Sequence, residues 1–344
     1  MSVYGSKFEN LAQYNNQIQQ THGSAINAQS NSTDGLMIIN TTFNNCKTDR
    51  GNGGAVYVIL NSTGRGQINN AIFNNCQATK GGGLYVEVSG GGRIEINNHT
   101  KFDQCKCNNN DNNSEGSGLY AEISGQSSNI SISGFAEFIN CSGAERGGGI
   151  YILYSASGYN QSGTILLDQV SLSQCTAKNG SGIYSLLKDQ GKLTIRNSNF
   201  SQCSTTTQHG GGLFIDASGN GTEISLTNSV LFDNCKSEED GGAIYMRLYN
   251  YGNTDLWGVN FKGCQSVNGN GGGICAYIQS SGKLHLHNLV NFTGCVCDNK
   301  NRGGIYAEVS GNASISTRSS LELSNQVYFD NCRSSKNNGG GIYA

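Results

Sequence analysis

Phe73-Asn74-Asn75-Cys76-Gln77-Ala78-Thr79-Lys80-Gly81-Gly82-Gly83-Leu84-Tyr85-Val86-Glu87-Val88 is the stretch that decides how this chain folds. It opens on an aromatic residue followed three positions later by Cys. It then passes a glycine run and closes on an apolar strand containing Tyr. Both halves recur along the 344 residues. The first returns at Phe43/Cys46, Phe102/Cys105, Phe138/Cys141, Leu172/Cys175, Phe200/Cys203, Phe232/Cys235, Phe261/Cys264, Phe292/Cys295 and Phe329/Cys332, with Phe8/Leu11 as a degenerate copy. The second ends at Tyr57, Tyr120, Tyr151, Tyr184, Phe214, Tyr245, Cys275, Tyr306 and Tyr343. A looser Ile-x-Ile run lies between them, as in Ile94/Ile96, Ile130/Ile132, Leu193/Ile195 and Leu284/Leu286.

Three short apolar runs per repeat, with no helix-length segment between them, exclude βαβ units and predict three strands per turn. A repeat that stacks each strand on its own copy is a right-handed parallel β-helix, an all-β solenoid. The spacing predicts about ten coils of about 31 residues in a single domain over 1–344. Leu84, Val86 and Val88 alternate with Tyr85 and Glu87, so the Leu/Val positions face the core. By the same parity the Tyr column faces outward, and an exposed aromatic stripe is expected there. The Asn or Gln before each Cys reads as a stacked amide ladder at a bend. The glycine pairs suit turns with positive φ. The absence of Pro fits a backbone whose N–H groups serve ladders.

Composition narrows the function classes. A formal net charge of -2 offers no basic surface for nucleic acid. No apolar run is long enough for a membrane helix. The thirteen Cys fall mainly at one place per repeat, which reads as a structural column. Their oxidation state stays open, and the odd total leaves at least one thiol unpaired within the chain.

The paired signatures resemble the repeats of chlamydial polymorphic outer-membrane proteins, which combine Gly-Gly-Ala-apolar with Phe-x-x-Asn. Gly53-Gly54-Ala55 and Gly241-Gly242-Ala243 match best, and Cys stands here where that family carries Asn. Similar Cys- and Gly-rich coils occur in large surface proteins of protists. The resemblance, within the pectin-lyase-like superfamily, implies a secreted surface β-helix, often adhesive.

Polysaccharide lyases and polygalacturonases share that fold, and their catalytic motifs find only partial matches in this chain. Asn253-Thr254-Asp255 matches one polygalacturonase motif by letter, but His209-Gly210 precedes it instead of following. Glu87 and Glu122 share an outer column, with nothing to indicate a cleft. No catalytic residue, cofactor or metal site is expected. His285 and His287 share one strand face, and Cys105-x-Cys107 and Cys295-x-Cys297 recur, but four convergent ligands cannot be assembled.

The expectation is therefore an extracellular or cell-surface structural protein that forms or joins a fibre by head-to-tail stacking with itself. The chain starts and stops within recognisable coils, so the β-helix is expected either to continue beyond both ends or to stack there. The alternative is an adhesin or glycan-binding module using the Tyr stripe; a polysaccharide lyase or hydrolase ranks last. Sequons at Asn61, Asn112, Asn160 and Asn220 are the candidate N-glycosylation sites. Asn140 also begins a sequon but is expected to face inward.

Overall fold

The computed structural model describes residues 1–13, 22–33, 35–108, 113–155, 162–300, 302–310, 318–335 and 340–344. It is a parallel β-helix. Three sheets of eleven strands each wind together, every strand pairing with its counterpart one coil away. One coil runs Arg65–Asn69, Ile72–Asn74, Gln77–Ala78 and Leu84–Ser89. The first of these belongs to the Ile-x-Ile sheet, the second to the Phe sheet and the last to the Tyr sheet. The register follows the repeat signatures. Phe73 lies opposite Phe43 and Phe102, and Tyr85 lies opposite Tyr57 and Tyr120. At about 4.8 Å per strand, eleven strands make a rod of roughly 50 Å.

The expectation of three strands per coil needs one addition. A fourth short segment follows each Cys of the column, such as Lys47–Thr48 or Gln77–Ala78. These segments form two further sheets of four and seven strands. They turn the chain from the Phe sheet toward the glycine run.

The inner faces form one continuous apolar column. Phe rings stack along the Phe sheet with centroids 4.4–5.2 Å apart. Leu172 interrupts them, paired with Phe138 on one side and Phe200 on the other. In most coils the last glycine of the run makes room for a ring. A Cβ on Gly83 would lie 2.9 Å from Phe102, and one on Gly212 would lie 2.7 Å from Phe232.

The Cys column is buried beside the Phe rings, with Cys332 half-buried at the last coil, and all thirteen thiols are free. Each column thiol donates to the carbonyl of the ring position one coil earlier. Cys76 reaches Phe43 O at 3.6 Å, Cys141 reaches Phe102 O at 3.6 Å and Cys264 reaches Phe232 O at 3.4 Å. Burial pushes the thiols of Cys141 and Cys235 well above their ordinary range.

The Asn/Gln column before Cys sits at a bend, and its placement corrects one expectation. Asn45, Asn75, Gln104, Asn140, Gln174, Gln202, Asn234 and Asn331 all have φ between 49° and 54°. Gly263 and Gly294 stand at the same place with φ of 59° and 62°. After Gly, Asn tolerates the left-handed region best. Amide pairs do form, as Asn45 Nδ2 to Asn10 Oδ1 at 3.0 Å and Gln174 Nε2 to Gln202 Oε1 at 3.2 Å. Asn140 is exposed, not inward, because a left-handed bend aims its side chain out of the coil.

Candidate functional site

The Tyr column points away from the core, as parity predicts, but it is not an open stripe. Tyr85, Tyr120, Tyr151, Tyr184, Phe214 and Tyr245 are only 2–8% exposed and form a second apolar cluster. Adjacent rings stack 4.4–5.5 Å apart from Tyr57 to Tyr245. Tyr57 and Tyr306 are half-buried, and Tyr343 alone is widely exposed at 46%. Cys275 takes the ring's place in one coil and is buried there.

The reason is a cover that runs over the rings. The residue before the first glycine of each run forms its own column: His22, Asn52, Lys80, Glu115, Arg146, Asn179, His209, Asp240 and Asn270. Lys80, Glu115 and Arg146 are bridged in parallel there. Glu115 binds Lys80 Nζ at 2.7 Å and Arg146 Nη2 at 2.8 Å. The Lys80 ammonium stands 5.0 Å from the Tyr120 ring centroid, and the Arg146 guanidinium 5.8 Å from those of Tyr151 and Tyr184. His22 stacks on Tyr57 and His209 on Tyr245, each at 4.5 Å. Rings sealed between a sheet and charged or imidazole groups gain dispersion and cation–π contact.

The seal is visible in the acid–base chemistry. Burial, reinforced by the nearby Glu122 carboxylate, holds the phenols of Tyr85 and Tyr120 well above their usual range. Burial pushes Tyr245 up to about 12. Burial pulls His209 down against the opposing pull of Asp240. The cover was missed from the sequence although its signal was present: a polar residue directly precedes the glycine run in each repeat.

Glu87 and Glu122 do meet, paired in register. Glu122 accepts a hydrogen bond from Tyr120 Oη at 3.0 Å, and burial followed by Glu122 raises the Glu87 carboxyl. His209 lies against Asp240 at the glycine turn, with Nδ1 3.6 Å from Oδ2. Asp255 of the Asn253-Thr254-Asp255 triplet lies elsewhere, on the outer face of the Ile-x-Ile sheet.

There it meets His285 and His287. One ligand atom from each of the three lies within 4.8 Å of the others. The third ligand comes from the preceding coil, so it could be joined to the pair only once the register was known. Cys107 and Cys297 take part in no such group; their thiols donate to Glu115 O at 3.5 Å and Gly269 O at 2.9 Å.

Of the glycosylation candidates, Asn220 is exposed in a turn. Asn61 is half-buried and accepts a bond from Ser89 Oγ at 2.6 Å. Asn112 and Asn160 lie outside the described residues. No helix among the described residues is long and apolar enough to cross a membrane. Set against protein-family models, curated proteins and solved structures, the chain matches none.

Proposed function

We propose that this chain is a structural rod, a stretch of an extracellular or cell-surface fibre built by axial addition of β-helical coils. The observation that carries the reading is the in-register pairing through all three eleven-stranded sheets, with rings stacked along the Phe and Tyr columns and a buried thiol column beside them. Such a stack presents each added coil with a template closely similar to the one before it. Burial of the thiols shields them from oxidants, which suits a reduced Cys column outside the cell. The open sequon at Asn220 suits the same setting. The covered Tyr ladder favours stiffness over ligand capture, because its faces are already occupied.

Negative-stain microscopy over a concentration series of the purified chain tests this. Rods that lengthen end to end with concentration are expected. Short rods of uniform length at every concentration would overturn self-assembly.

A further inference from the structure

We infer that Asp255, His285 and His287 form a binding site for a divalent transition metal, one that ties two neighbouring coils together on the outer wall of the rod. His285 and His287 are two apart on the strand Lys283–His287, so both imidazoles stand on one face. Asp255, on Asn253–Trp257, is the in-register partner of His285 in the preceding coil. The His285 Nδ1 to Asp255 Oδ1 separation is 3.5 Å. Two ligands of a tetrahedral ion with bonds of 2.0–2.1 Å stand roughly 3.3 Å apart, so this pair is already close to bonding geometry. The two imidazole rings lie parallel with centroids 4.3 Å apart. A ring nitrogen of His287 already lies within 4.8 Å of the ligand atoms of the other two.

A second observation concerns the partners behind the ligands. His285 Nε2 is 2.8 Å from Ser324 Oγ, on the following coil. With Nε2–H donating to that hydroxyl, the Nδ1 lone pair is left facing Asp255. A metal-binding histidine is held in the same way, its far nitrogen anchored by a hydrogen bond that fixes tautomer and ring orientation. His287 Nδ1 is 2.8 Å from Asn288 Nδ2. With that amide turned so that its oxygen accepts from Nδ1–H, Nε2 becomes the ligand. Asn253 Nδ2 holds Asp255 through its other oxygen, Oδ2, at 3.3 Å. Glu322 continues the Asp255–His285 column in register and is exposed, so it or water can take the fourth position.

Two imidazole nitrogens with one carboxylate suit Zn²⁺, Cu²⁺ and Ni²⁺ better than Mg²⁺ or Ca²⁺. Ligands drawn from successive coils make the ion a clasp: it binds only while the coils are paired, and so stabilises their pairing by mass action.

The test titrates the metal-stripped, fully reduced chain with Zn²⁺ by calorimetry and with Co²⁺ by visible absorption, and follows thermal unfolding with and without Zn²⁺. One equivalent of bound metal is expected, with a raised unfolding temperature. Co²⁺ should give visible bands without thiolate charge transfer. His285→Gln and His287→Gln should each weaken binding by roughly tenfold or more, and Asp255→Asn by a smaller factor. All three side chains are partly exposed, so the variants should stay folded, which circular dichroism checks. Unchanged stoichiometry and affinity in the double variant His285→Gln/His287→Gln would overturn the site. So would thiolate bands with Co²⁺, or no saturable binding by the native chain.

Discussion

Cys105 Sγ lies 3.4 Å from the carbonyl oxygen of Phe73, one coil earlier on the same wall. The thiol therefore fills space beside the Phe column and also serves a backbone oxygen. Truncation by Cys105→Ala removes both contributions from a fully buried site and should cost about 1–2 kcal/mol. Urea unfolding measures it. A thiol reagent applied to the native chain should modify Cys332, the half-buried member, well before the other twelve. Rapid modification of all thirteen without denaturant would contradict the sealed column.

Alkaline pH should unfold the rod. Buried thiols such as Cys141 and Cys235, and buried phenols such as Tyr85 and Tyr120, keep their protons to higher pH in the fold. In the unfolded chain thiols ionise near about 8.5 and phenols near about 10. The unfolded state thus loses protons first. Stability is held below the unfolded pKa of each group and is lost as pH rises past it. The slope reaches at most about 1.4 kcal/mol per pH unit for each group. Urea midpoints should stay level from neutral pH, fall beyond about pH 8.5 and fall faster beyond about pH 10. A level profile through that range would count against it.

Glu115 is the centre of the cover. Its carboxylate is nearly buried, while Lys80 and Arg146 each keep about 30% of their side chains in solvent. Glu115→Gln leaves two cations without their shared partner above the rings. The expected loss is about 1–3 kcal/mol, below that of a fully buried pair because the cations are partly hydrated. Tyr fluorescence should report loosened packing at Tyr120 and Tyr151. A variant as stable as the parent would show that the cations cover the rings unaided.

Arg302 occupies the place that Gly241 holds two coils earlier, before the last two residues of the run, with φ of 65° against 71°. A Cβ at Gly241 would stand 2.3 Å from Ile244 O. Gly241→Ala should therefore destabilise by about 1–3 kcal/mol. Arg302→Gly should relieve backbone strain, set against the lost contact of its guanidinium with Tyr343 at 4.8 Å. The two melting-temperature shifts should differ in size, with Gly241→Ala the larger loss.

Expression in a glycosylating secretory host should add a glycan at Asn220, whose side chain is exposed in a turn, in preference to Asn61, which Ser89 engages. Intact-mass analysis of the parent and Asn220→Gln decides this. Equal masses, apart from the substitution, would show that the sequon is not used.

The coil, its inner face and the Phe and Cys columns were legible because they depend on period and parity, which a repeat displays many times over. Parity also aimed Tyr120 correctly away from the core. Whether an outward ring meets water is a different question. It depends on what the turn before the glycines lays over it, and Lys80 and Arg146 could be assigned to that role only with the turn in place. Asn140 was misjudged because inward and outward at a bend depend on φ, not on alternation. Asp255 and His285 are 30 residues apart in sequence and become neighbours only through the strand register.

Leu172 divides the Phe column into two stacks of five rings, Phe8 to Phe138 and Phe200 to Phe329. In the coil between Phe138 and Leu172, Tyr154 turns into the core, its ring set against Gly163 and Gly191. Near-identical coils invite mispairing, since a strand shifted by one whole repeat meets almost the same surface. Tyr154 and Leu172 spoil that degeneracy. A chain that skips or doubles a coil during folding must seat Tyr154 and Leu172 among layers built for other side chains, so this irregular layer acts as an index mark against which the others are counted.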